Sequence, residues 1–331
     1  MGEGPPVGVL IATATPPEQI GPAAARAEQL GYGEIWVAED YFYYGGFTGA
    51  ALALGATEHT PVGLGIVAAV GRHPAVTAME IATLARAYPG RFRPGIGHGV
   101  PFWTGQMGLT PTSPLTALEE CITNVRRLLE GDVVDSTGKQ FTFDSIGLGH
   151  GAARDVPLLT GVLGPKSLQL SGRIADGTVM SVLCGTKYLE SACGHIATGM
   201  AESGRDRHLV PTFALFSIDA DGRAAKARAR PMVAFYLAAI GQNNALSGAY
   251  GYNDQLADMM SRGGPELIAK EMPDEWVDEL AIAGAPDEVA ERITALLDAG
   301  ATSIVLSPAS QQDTSEQLEF AARHVFPKIG G

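Results

Sequence analysis

The chain has 331 residues, 46% of them hydrophobic and 7% aromatic, and 36 acidic against 23 basic side chains give it a net charge of −13. That length and apolar content can bury one barrel-sized core or two smaller ones, which speaks against disorder or a coiled coil. The acidic balance argues against a nucleic-acid surface, and the three widely spaced cysteines, with no C-x-x-C pair, argue against a disulfide scaffold or a zinc cluster.

The amino terminus has no basic region followed by an apolar run, and no stretch is long and apolar enough to span a bilayer. The expectation is a soluble, cytoplasmic protein without a membrane association.

Val7 to Ala12 is a short apolar run ended by Thr-Pro-Pro, and Glu18 to Leu30 then carries apolar residues at helical spacing up to Gly31. The same cadence repeats. Glu34 to Ala38 precedes a helix near Thr48 to Ala56, Val62 to Ala69 precedes Ala75 to Tyr88, and Arg91 to Gly97 precedes Leu115 to Leu129. Val133 to Phe143 alternates and turns at Gly138 like a hairpin. The βα rhythm resumes with Val156 to Thr160 before a helix at Pro165 to Gly172, Asp176 to Val182 before Lys187 to Ala201, and Val210 to Ile218 before Ala224 to Ile240. Gly241 to Met272 has no strand pattern and reads as a lid, an entrance or a peripheral helical insertion. A helix at Pro286 to Ala299, a last strand at Ser303 to Leu306 and an amphipathic helix at Gln311 to Phe326 close the chain. Strands alternating with helices predict an α/β protein, a single (β/α)8 TIM barrel over 1–331 with a hairpin insertion near 132–144 and a helical insertion near 241–283.

In such a fold, ligands sit beyond the carboxyl ends of the strands. Glu39-Asp40-Tyr41 follows the second strand, where an acid beside a phenol can orient or protonate a substrate, although Asp40 is equally suited to capping the next helix. Tyr41 to Tyr44 is an aromatic run suited to a planar ligand, without a sign of which ring faces inward. Gly65-Ile66 lies inside the third strand, where glycine marks a bulge, a bend or a close approach of backbone to ligand. Arg72 and His73 precede Pro74 and read either as site residues or as a loop before a helix cap. The run Gly161 to Ser167 is too short between glycines for a Walker A loop, yet it opens a helix at Pro165 and offers backbone N–H groups plus Lys166 to an anion. Neither H-E-x-x-H nor EF-hand spacing occurs, and Gly95-Ile-Gly-His-Gly99 has glycine where a nucleophile elbow needs serine, so no metal site is expected.

The segments IWVAEDYF, GIVAAVGRHPAVTAMEIATLARAYPGRF, GIGHG, LEECITNVRRLLEG and VLGPKSLQLSGRIADGTV together resemble the bacterial luciferase-like superfamily, and within it the deazaflavin (coenzyme F420)-dependent oxidoreductases. The resemblance runs from Val7 to about Val182 and more loosely to the end. It implies a (β/α)8 barrel, a non-prolyl cis peptide at Gly65-Ile66 behind the coenzyme ring, and hydride transfer between C5 of coenzyme F420 and a small organic substrate. Asp40 matches the aspartate of the family's Asp-His pair, but Tyr41 stands where the histidine would be, and Gly97-His98-Gly99-Val100 lacks the acid of the Gly-Thr-Gly-Glu turn. Both departures speak against a glucose-6-phosphate dehydrogenase role.

By this resemblance Tyr41 or His98 would handle the proton. Asp40, Gly65, Ile66, Ala68, Gly97, Gly161, Gly164, Pro165, Lys166 and Ser167 would contact the coenzyme. Tyr43, Trp103 and Gln106 would face the substrate. The alternatives are an FMN-dependent monooxygenase using reduced flavin and O2, and a flavin-binding barrel without turnover. A homodimer is expected, with a separate coenzyme-reducing enzyme as a further partner of the FMN reading.

Overall fold

The computed structural model describes residues 5–310 and 313–329. In chain order the elements are β1 (Val7–Ile11), α1 (Pro17–Gln29), β2 (Glu34–Val37), α2 (Gly46–Gly55), β3 (Val62–Ala68), α3 (Pro74–Ala87), β4 (Phe92–Gly97), α4 (Pro101–Gln106) and α5 (Pro114–Glu130). A hairpin of β5 (Val134–Thr137) and β6 (Thr142–Ile146) follows, then β7 (Leu159–Gly161), α6 (Pro165–Ile174), β8 (Gly177–Val179), α7 (Thr186–Ser203), β9 (Pro211–Ile218) and α8 (Gly222–Ile240). The chain continues through α9 (Ala245–Gly248), α10 (Asn253–Glu271), α11 (Asp274–Leu280), β10 (Ala281–Gly284), α12 (Pro286–Asp298), β11 (Ser303–Pro308), α13 (Thr314–His324) and α14 (Phe326–Ile329).

The principal sheet is parallel throughout, in the order β10-β9-β11-β1-β2-β3-β4-β7-β8. Its strands are buried on both faces, as parallel sheets covered by helices require. The end strand β8 also bonds to β9: Thr178 N–H donates to Leu209 O, Met180 N–H to Pro211 O and Phe213 N–H to Met180 O. Helix starts follow local chemistry. Proline occupies the first turn of α3, α5, α6 and α12, where its missing N–H costs nothing. α5 stops at Gly131, whose φ of 98° is a left-handed conformation that glycine adopts without penalty.

Two differences from the sequence expectation have local causes. Ala281–Gly284 pairs with β9 as a ninth parallel strand, inside the stretch near 241–283 expected to be helical. It is four residues of mostly small side chains, too short for alternation to register. α4 also forms in the loop after β4, where Gly105 interrupts the apolar pattern. The hairpin forms a separate antiparallel pair, with Glu120 of α5 accepting from the backbone N–H groups of Lys139, Gln140 and Phe141 at its turn. α10 contains a break at Gly264 (φ 65°) and packs against α8. The expected helix from Gln311 begins outside the described residues; its described part is α13 and α14. Among the described residues no helix is long and apolar enough to cross a membrane.

Candidate functional site

A cavity of about 440 Å³ opens at the carboxyl ends of the strands, within the size range of small-molecule sites. Its wall takes Leu10 from β1, Ala38 to Tyr41 after β2, Gly65, Ile66 and Ala68 from β3, His98 to Val100 after β4, and Trp103 from α4. Gly161 to Gly164 after β7, Val179 to Val182 around β8, Phe213 of β9 and Tyr236 of α8 complete it.

The back wall is shaped by absent side chains. The β3–β4 register shifts between Leu64 and Val67, and the Gly65–Ile66 peptide is cis, as is Tyr41–Phe42. Ile66 lies over glycines of β4 and, one strand further on, of β7. A Cβ on Gly95 would stand 2.8 Å from Ile66 Cγ2, one on Gly161 2.7 Å from the same atom, and one on Gly97 2.9 Å from Ile66 Cδ1. Gly65 is itself close-packed, since a Cβ there would meet Phe213 Cζ at 2.9 Å. Phe213 in turn rests edge-on against the fully buried Trp36, with centroids 5.4 Å apart.

Each acid beyond β2 has a distinct fate. Glu39, with a side chain only 2% exposed, receives both guanidinium nitrogens of Arg72, at 2.7 and 2.5 Å, and the Gly46 N–H at 2.8 Å. This bidentate pair answers the question left open for Arg72, which anchors the loop that carries the site. Asp40 instead accepts one hydrogen bond, from Thr13 Oγ1 at 2.9 Å, and burial raises its pKa above the ordinary carboxylate value against that bond.

Tyr41 lines the cavity with its ring, edge-on to Trp103 at 6.5 Å. Its Oη is buried against Gly71 and has no hydrogen-bond partner, and burial together with the Glu39 charge raises its pKa. His98 also lines the cavity, with Nε2 3.2 Å from Ser167 Oγ, and burial lowers its pKa, which favours the neutral imidazole.

Among the expected coenzyme contacts, Asp40, Gly65, Ile66, Ala68, Gly161 and Gly164 meet in this cavity. Gly97 sits behind Ile66, Ser167 is reached through His98, and Pro165 and Lys166 are exposed on the first turn of α6 at the rim. Trp103 of the expected substrate contacts faces inward. Tyr43, 64% exposed on the turn after β2, and Gln106, exposed at the end of the short helix α4, are not among the residues that line the cavity. His73 is a structural residue: Nδ1 caps α3 by accepting from Ala75 N–H, and Nε2 pairs with Thr142 O of the hairpin. No residue of 241–280 is among those that line the cavity. Thr13, Ser181 and Tyr236 join the site without a sequence signal. Tyr236 sits near enough to Asp40 for that carboxylate, after burial, to raise its pKa.

A family profile described as luciferase-like monooxygenase matches residues 6–303. The chain belongs to the luciferase-like monooxygenase family. It is 29% identical over 311 residues to a 5,10-methylenetetrahydromethanopterin reductase of Archaeoglobus fulgidus, covering 92% of this chain and 93% of that one. It is 26% identical to an F420-dependent glucose-6-phosphate dehydrogenase of Nakamurella multipartita, over 94% of each chain. The solved structure of the coenzyme F420 dependent tetrahydromethanopterin reductase from Methanopyrus kandleri superposes with a TM-score of 0.85 at 26% identity, covering 99% of this chain and 100% of that one.

Proposed function

We propose that this luciferase-like chain is a coenzyme F420-dependent oxidoreductase, most simply a reductase, built on a (β/α)8 barrel closed through the β8–β9 bonds. The observation that carries the reading is the strand-end cavity backed by the Ile66–glycine contacts, in a chain whose near full-length relatives include enzymes named for this coenzyme. The residues fit a planar ring with an anionic tail. The cavity is largely apolar, with Ile66 packed over glycines at its back. At its rim the first turn of α6 offers backbone N–H groups without helical partners, together with Lys166, to a phosphate.

A deazaflavin bound there supplies hydride chemistry at C5. The chain's part is to position and to exclude water. Ile66 and Ala68 would support the ring, Gly161 and Gly164 leave room beside it, and Gly164 to Ser167 would take the phosphate. Tyr41, Trp103 and Tyr236 wall the substrate side. The proton is assigned to His98, which lines the cavity and whose neutral form burial favours, with Tyr41 as the alternative. The Tyr41 hydroxyl is packed against Gly71, and His98 Nε2 lies 3.2 Å from Ser167 Oγ.

Leu52 of α2 and Val76 and Met79 of α3 are exposed apolar side chains that support a homodimer, which light scattering would read as twice the 34.5 kDa chain mass. The decisive test of the function is titration of the purified protein with coenzyme F420 and with FMN, following the ring's fluorescence. Saturable binding of the deazaflavin well below the FMN concentration needed is the expected result. Preference for FMN overturns the reading in favour of oxygen-dependent chemistry.

A further inference from the structure

The cavity has an uneven polar inventory. Among the described residues lining it there is no lysine or arginine, and the acids are Glu39 and Asp40. Glu39 is neutralised in place by Arg72. The Asp40 carboxylate has Thr13 as its hydrogen-bond donor, and no cation offsets it. His98 offers no fixed positive charge, since burial favours its neutral form. Arg72 stands behind the wall, held by Glu39, and Lys166 is exposed on α6 outside the wall, where the coenzyme phosphate would be held. The wall itself is largely apolar and aromatic, with the rings of Tyr41, Trp103, Phe213 and Tyr236 in it and Tyr41 edge-on to Trp103.

An anionic group entering this cavity would therefore meet an uncompensated carboxylate in a poorly solvated space and no counter-charge. An uncharged aromatic group would meet ring edges and faces suited to it. We propose that the end of the substrate admitted to the cavity is uncharged and aromatic, and that Asp40 excludes substrates that are anionic there, sugar phosphates among them. The proposal rests on the coenzyme F420 reading and extends it to a substrate class.

The test uses the protein loaded with oxidised coenzyme F420 at pH 8, with binding read from the absorbance of the bound coenzyme. Three probes are compared: acetophenone, 4-acetylbenzoate, which differs by one carboxylate, and glucose 6-phosphate. Acetophenone is expected to give a saturable perturbation, 4-acetylbenzoate to bind at least about tenfold more weakly, and glucose 6-phosphate to give no response. In Asp40→Asn the ratio between the two ketones should fall to within about threefold, and Trp103→Ala should weaken acetophenone about fivefold. Parity between the ketones in the wild-type protein, preference for either anion, or no response to acetophenone overturns the proposal while leaving the coenzyme reading in place. Failure to bind coenzyme F420 in the preceding titration overturns both.

Discussion

Gly161→Ala measures how tightly the back wall of the cavity is built. The new methyl would stand 2.7 Å from Ile66 Cγ2, 3.2 Å from Cγ1 and 3.5 Å from Cβ. The first two contacts are too close, and both belong to one side chain held between strands, so the substitution should cost about 1–3 kcal/mol of stability through overpacking. Ile66→Ala removes both offending atoms and leaves only the Cβ contact at ordinary van der Waals distance. In that background the same glycine substitution should cost less than about 0.5 kcal/mol, which gives a coupling of roughly 1–2 kcal/mol in a double-mutant cycle. The four proteins are compared by urea unfolding, with coenzyme F420 titration as a second readout. The single variant should bind coenzyme more weakly because Ile66 is pushed into the cavity. Additive stabilities within about 0.5 kcal/mol would show that Ile66 is not the neighbour that requires glycine at 161 and would refute the steric account.

Four further outcomes follow from the same geometry. Tyr41→Phe removes a buried hydroxyl without a partner, so stability should hold or rise by about 1 kcal/mol and turnover with any substrate should persist; a large loss of kcat would instead make Tyr41 the proton donor. Arg72→Leu strands the buried Glu39 carboxylate and should cost about 3 kcal/mol in urea unfolding, whereas a neutral result would show that water reaches Glu39. His208, held to about pH 4 by burial and then by the Arg205 charge, is depressed from 6.5, so the unfolded chain binds its proton first. Stability is therefore full above pH 6.5 and falls by up to roughly 3 kcal/mol as the pH drops towards 4, and His208→Gln should flatten that slope in unfolding curves across this window. Asp40 has the opposite linkage, because the native state binds its proton more tightly than the unfolded one: stability falls as pH rises above 3.8, and Asp40→Asn should be the more stable protein at neutral pH by thermal melting.

What the sequence made legible is what local periodicity encodes. The strands at Val7, Glu34, Val62 and Phe92 are apolar runs closed by Pro or Gly signals, and their carboxyl ends point to one face by the logic of parallel sheets. Glycines at 65, 97, 161 and 164 were readable as candidates because a glycine within a strand or at a helix start needs a reason. The partnership of Arg72 with Glu39 was not, since the two are 33 positions apart and meet only when β2 and β3 pair. Tyr236 was hidden for another reason: in the apolar spacing of α8 a cavity-facing tyrosine and a core tyrosine look alike. The run from Tyr41 to Tyr44 carries no periodicity to sort it. In the fold Tyr44 turns inward to bond Ile11 O, while Phe42 and Tyr43 face outward.

The division of labour in the cavity follows from these particulars. Its back is made by glycines that admit Ile66, its sides by aromatic rings, and its polar groups are spent on one another: Arg72 on Glu39, Ser167 on His98, Thr13 on Asp40. A site with so few free acids and bases cannot perform demanding chemistry from its side chains alone. It can hold a planar reactive group at a fixed depth, keep water from it and choose what lies against it. On the coenzyme reading proposed above, the reaction class would be set by the group bound at the Ile66 wall, and substrate choice by Asp40 and the rings around it. Substitutions at these two places should therefore separate, the former changing coenzyme affinity and the latter changing which substrates are accepted.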